Sequence, residues 1–160
     1  MNSKLVAIVM GLLLTLNNAY AEDQTAEVER VLDLLHESAS KAQMQPYFSL
    51  FAEHGVFIGT DASERWNKEA FAAFAKPYFD SGKGWTYVPL KRNVSFSKSG
   101  KVAWFDEILQ HKTYGECRGT GVLELGEAGW QLTQYHLTFP IPNAIAADIT
   151  QQIRAHKKAQ

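Results

Sequence analysis

The sequence predicts one α+β domain, with helices toward the N-terminus and an antiparallel sheet after them. Two observations predict it. Apolar residues recur at helical spacing through 22–43 and 68–79. From Trp85 to Phe139 the pattern changes to long strand-like runs broken by glycine-containing turns.

The chain has 160 residues. It opens on Lys4, an uncharged apolar run Leu5–Leu16, and small residues at Ala19 and Ala21. These are the three parts of a cleavable secretory signal, so residues 1–21 are expected to be removed after Ala21. The run is short for a bilayer span, which takes ~20 residues. No cysteine stands at the cleavage position, which disfavours a lipid anchor. The remaining roughly 140 residues suit a single domain. The expected organisation is a signal over 1–21, one domain over 22–143, and a polar tail over 144–160. The expected location is periplasmic or secreted, with no membrane contact after cleavage.

In the mature chain, Val28, Val31, Leu32 and Leu35 mark a first helix over 22–43, with Thr25 as N-cap. Pro46 opens a second helix, Pro46–Phe51, which Gly55 ends. Val56–Gly59 is a short apolar strand, and Thr60–Ser63 a turn. Lys68–Phe79 is a third helix that Pro77 should kink or end. Four strands follow as a meander, with turns at Lys98–Lys101, near Tyr114-Gly115, and at Gly126–Gly129. The tail after Pro142 reads as a loose helix or a disordered end.

The formal net charge of −1 gives no electrostatic footprint for nucleic acid and no polybasic membrane patch. The single Cys117 excludes an intramolecular disulfide and a CxxC pair, and reads as a small buried hydrophobe. His36, His54 and His111 lack metal-ligand spacing, so no metal is expected. GxSxG, Walker and GxGxxG motifs are missing, and no cofactor is expected. These exclusions leave a small molecule or another protein as partner.

Turn positions set a strand register, and register sorts residues by face. The first hairpin places Arg92 opposite Glu107 and Asn93 opposite Asp106. The last places Gly119 opposite His136. A two-residue middle turn pairs Glu107 with Val122. One face then carries Val88, Leu90, Arg92, Glu107, Arg118 and Tyr135 and, being more apolar, is assigned to the core. The other carries Trp104, Asp106, Gly119, Trp130 and His136, and its tryptophans suit a protein–protein surface.

Arg92, Glu107 and Arg118 are candidates to line a pocket for a polar or anionic ligand, since arginine grips carboxylates bidentately. A cross-strand Arg92–Glu107 ion pair is the competing structural explanation. Tyr135 is a candidate hydrogen-bond donor, and Trp66, in the loop before the third helix, a candidate cover for the pocket mouth. Asp106 and His136 form a candidate acid/base pair, against an ordinary interface hydrogen bond. Asp106 and Glu107 point to opposite faces of a regular strand and cannot pair.

Several segments, in one order, resemble a known family: Phe57–Asp61, Trp66, Val102–Glu107, Cys117–Leu123, Gly129-Trp130 and Gln134–Asn143. They resemble the SnoaL-like branch of the nuclear transport factor 2-like superfamily, over about residues 25–143. The resemblance implies a cone-shaped fold in which a strongly bent antiparallel sheet wraps the N-terminal helices and leaves a pocket at its open end. It also implies homodimers through the outer sheet face. Relatives include ketosteroid isomerases, polyketide cyclases, dehydratases, and domains that only bind or assemble. The isomerase constellation of an Asp base with Tyr and protonated Asp donors has no residue-by-residue counterpart here. Tyr135 and Glu107 are available, but arginines beside Glu107 would keep it ionised and weakly basic. Three functions follow as expectations: an exported pocket protein for a small polar or anionic molecule; a cyclase- or dehydratase-type lyase or isomerase using Glu107 or Asp106–His136; and a structural homodimerisation domain.

Overall fold

The computed structural model describes residues 23–159. The expected signal lies outside them. Helix α1 covers 23–40, and α2 is Met44–Ser49. Strand β1 (Phe51–Ile58) and the short β2 (Arg65–Asn67) precede α3 (Lys68–Asp80). The meander is β3 (Tyr87–Phe96), β4 (Val102–His111), β5 (Gly115–Gly126) and β6 (Gly129–Thr138). A 3₁₀ turn, Asn143–Ile145, leads into α4 (Ala146–Lys158), which buries no side chain.

All six strands form one curved sheet in the order β2-β1-β6-β5-β4-β3. Each pair is antiparallel except β1 with β6, which is parallel. Helix α1 packs Val28, Leu32, Leu35 and Ala39 into the core, a stripe at helical spacing. Helix α3 starts where the Asn67 side chain accepts the Ala70 N–H at 2.8 Å, a conventional N-cap. It runs three residues past Pro77 and buries Phe71, Ala75 and Phe79, so the proline sits in its last turn. These helices share one core with the inner sheet face.

The first hairpin has the expected register, Arg92 opposite Glu107 and Asn93 opposite Asp106. The middle hairpin does not. Glu107 faces Gly119, and it is Trp104 that faces Val122. Lys112, Thr113 and Tyr114 make the turn, and β5 begins at Gly115, whose φ of +72° suits glycine. His111 Nδ1 pins it by accepting the N–H groups of Thr113 and Tyr114, both at 3.2 Å. A slip by an odd number of residues sends every β5 side chain to the other face. Cys117, Gly119 and Leu123 therefore point inward, and Arg118 is exposed on the outer face.

Bulges account for the other differences. Beyond Leu123–Leu132 the β5–β6 register shifts at Thr133, so His136 faces Thr120 and Leu137 faces Gly119. Trp130 and Tyr135, of opposite parity, are then both buried. A shift at Leu90 turns Val88 and Leu90 to solvent, at 51% and 61% exposure, although both were expected in the core. Strand β1 begins at Phe51, so Gly55 lies inside a strand and not at a helix end.

Candidate functional site

Glu107 lies on the inner face of β4 with 0% exposure, which makes it the most buried charged side chain described. Burial alone would force its carboxyl to stay neutral. Three donors and the guanidinium charge prevent that. His36 Nε2 lies 2.8 Å and the Tyr135 hydroxyl 3.0 Å from Oε1. Arg92 donates Nε to Oε2 at 3.0 Å. Its Nη2 is also 3.0 Å from Oε2, but off the hydrogen-bond axis. Burial pushes the Glu107 carboxyl up, and the hydrogen bonds and charges of His36 and Arg92 more than reverse it, to a net value below the ordinary range. Burial, then the Glu107 charge, raises the Tyr135 phenol well above its usual value. Tyr135 therefore stays a protonated donor.

The ionised carboxylate accepts only, so His36 places its proton on Nε2. The second guanidinium nitrogen of Arg92 bonds Asp33 Oδ1 at 2.9 Å and the Glu29 carbonyl at 3.3 Å, both on α1. The cluster thus ties α1 to the sheet from two sides. Gly119 supplies the room. A Cβ there would stand 2.5 Å from the Tyr135 hydroxyl and 2.8 Å from Glu107 Oε1.

Beside this cluster the core opens into a cavity of about 360 Å³. One wall comes from β1, β2 and α3. Its rings lie nearly parallel: Phe57 on Phe71 at 3.9 Å and 16°, and Trp66 on Phe74 at 4.8 Å and 22°. The facing wall is a second aromatic run, with Tyr87 against His111 and His111 against Tyr114, each at 4.7 Å. Glu64 and Thr60 sit at the β1–β2 end. A second, smaller space of about 20 Å³, room for one water, shares Phe57, Trp85 and Tyr87 with the lining of the first and is also lined by His36 and Tyr135.

The profile of the SnoaL-like domain matches residues 28–142. The chain belongs to this SnoaL-like family. Solved structures show the same fold at low identity. An NTF2-like protein of unknown function from Pseudomonas putida KT2440 has a TM-score of 0.61 at 12% identity, covering 74% of this chain and 87% of that one. A candidate dehydratase of the NTF2-like family from Streptomyces avermitilis has a TM-score of 0.63 at 13% identity, covering 76% and 99%. A candidate aromatic-ring hydroxylase from Novosphingobium aromaticivorans has a TM-score of 0.60 at 16% identity, covering 76% and 92%. No curated protein matches the chain significantly.

In this SnoaL-like domain the residues singled out from sequence fall in three places. Glu107, Arg92 and Tyr135 meet in the buried cluster, and Glu107 reaches no cavity surface itself. Trp66 lines the cavity, from strand β2 and not from a loop. Arg118, Asp106 and His136 are on the outer face. Arg118 cannot join a pocket there, because the three-residue turn reversed its strand. Asp106 and His136 flank Thr120 on either side of β5, roughly 10 Å apart at two strand spacings. Asp106 is instead bonded by Asn93 Nδ2 at 3.1 Å. They do not form a contacting acid/base pair.

Sequence reasoning missed His36 and the aromatic walls. The signal for His36 was present: it follows Val28 and Leu32 at intervals of four on the buried stripe of α1. A polar residue on such a stripe demands a buried partner.

Proposed function

We propose that this SnoaL-like domain encloses a small ring-bearing molecule between the two aromatic walls. The observation that carries this is the cavity, of a size typical for small-ligand sites and walled by near-parallel rings. Edge and offset contacts with such rings favour ring-bearing ligands. The arginines expected to hold an anion support this shift in ligand class. Arg118 is on the far face, and Arg92 is engaged by Glu107 and Asp33. A candidate aromatic-ring hydroxylase of the same fold agrees with a ring-accepting cavity. Calorimetric titration with 2-naphthol tests the reading. Wild type should bind, and Trp66→Ala should weaken binding about tenfold. No heat above dilution at millimolar probe would overturn it.

His36 favours a second reading, acid/base catalysis of the lyase or isomerase type. Glu107 orients the imidazole through Nε2 as a carboxylate orients a catalytic histidine, leaving Nδ1 without a hydrogen bond among the described residues. His36 would meet the substrate through that smaller space, with Glu107 as its positioning residue. His36→Gln should then abolish turnover of any substrate found while leaving its affinity within about threefold. Unchanged kcat would remove this reading.

We further propose export and pairing. The support is the Leu5–Leu16 run before Ala21, and an outer sheet face carrying Trp104 at 48% exposure. An exported product starting at Glu22, and light scattering at twice the monomer mass, check the two points.

A further inference from the structure

We propose that the cavity selects an organic cation, a ring-bearing amine or quaternary ammonium held over aromatic faces and by the Glu64 carboxylate at the mouth. This rests on the cavity being a ligand site and adds the charge of what enters.

The argument begins with what lines the space. Rings dominate both walls, and no lysine or arginine is among the lining residues. Glu64 is the one lining side chain with a formal charge. His111 adds none, because its Nδ1 accepts two backbone N–H groups and so leaves the proton of a neutral ring on Nε2. Aromatic faces carry negative potential and attract cations, more strongly where water is excluded. A carboxylate beside them adds attraction of the same sign and repels anions.

Glu64 is also held ready. The Asp61 N–H donates to its Oε2 at 3.1 Å, and the Gly59 N–H donates to its carbonyl at 2.8 Å. Gly59 leaves space for the carboxylate, since a Cβ there would stand 2.2 Å from Oε2. Oε1 has no hydrogen-bond partner among the described residues, so one oxygen is available to a ligand. Burial first, then Cys117, Tyr114 and Glu64, push the Tyr87 phenol up to about 12.

Three probes of one size and different charge separate the possibilities: phenyltrimethylammonium, tert-butylbenzene and benzoate, titrated by calorimetry. The cation should bind about tenfold tighter than its neutral isostere, with benzoate weakest. Glu64→Gln keeps an acceptor for Asp61 N–H and should bring cation and neutral probe to within about twofold. On wild type alone, the preference should shrink as salt rises. If the neutral probe binds as well as the cation, or benzoate binds best, the cavity reading stands and the cation inference falls. A preference that survives both Glu64→Gln and salt removes Glu64 from the account. If none of the three binds, nor 2-naphthol, both readings fall.

Discussion

Glu107→Ala is expected to destabilise the domain by about 3–5 kcal/mol, because removing one partner leaves a buried opposite charge uncompensated. At about 2–4 °C per kcal/mol for a domain near this size, the melting temperature should drop by roughly 10 °C. The loss has three parts. Arg92 keeps its bond to Asp33 but loses its buried counter-ion. The Tyr135 hydroxyl and His36 Nε2 lose the acceptor they share. Replacing both charged partners, Glu107→Leu with Arg92→Leu, should cost less than Glu107→Leu alone. Urea denaturation of the three variants checks this. A Glu107→Ala melting point within about 2 °C of wild type would show that the cluster does not hold α1 to the sheet.

Acid should reproduce part of that loss. The folded-state value of Glu107 lies below the ordinary carboxylate value of 4.5, so the folded protein binds its proton less readily than the unfolded chain. The stability this contributes is fully present above pH 4.5 and disappears as pH falls through the depressed folded value. Wild type and Glu107→Gln should therefore converge in stability as pH is lowered below the ordinary value.

The helical half of the fold was legible because its signals are local. The α1 stripe and the apolar run of α3 from Lys68 are written in neighbouring residues. The first hairpin was legible for the same reason, since Ser97–Val102 closes around one glycine-containing turn. What the sequence hid was parity. Tyr114-Gly115 reads as a two-residue turn, while the actual turn is three residues pinned by a histidine. Leu90 and Thr133 are bulged residues with nothing in their types to announce it. Each such step exchanges inside for outside in the strand beyond it. That moved Arg118 out of the candidate site and brought Gly119 in, beside Glu107 and Tyr135. The aromatic walls escaped because they join five chain segments that only the closed fold brings together.

Phe71→Ala tests that joining most directly, and should cost about 3–5 kcal/mol as a buried aromatic truncation. The ring is 2% exposed and lies face to face with Phe57 at 3.9 Å, while Trp66 and Trp85 stack near it at 5.8 and 6.0 Å. It belongs to the core on one side and to the cavity wall on the other. Neighbours that large cannot collapse fully into the space, so most of the lost volume should persist as cavity. Trp66 is only half-buried, and Trp66→Ala should cost clearly less stability while weakening ligand more. The two variants therefore separate packing from recognition. Phe71→Ala should also gain stability from benzene, which fills a dry apolar void, where Trp66→Ala should not. A Phe71→Ala loss under about 1 kcal/mol, with no response to benzene, would mean that the ring is not sandwiched as described and that the wall has little claim to bind a ring-bearing ligand.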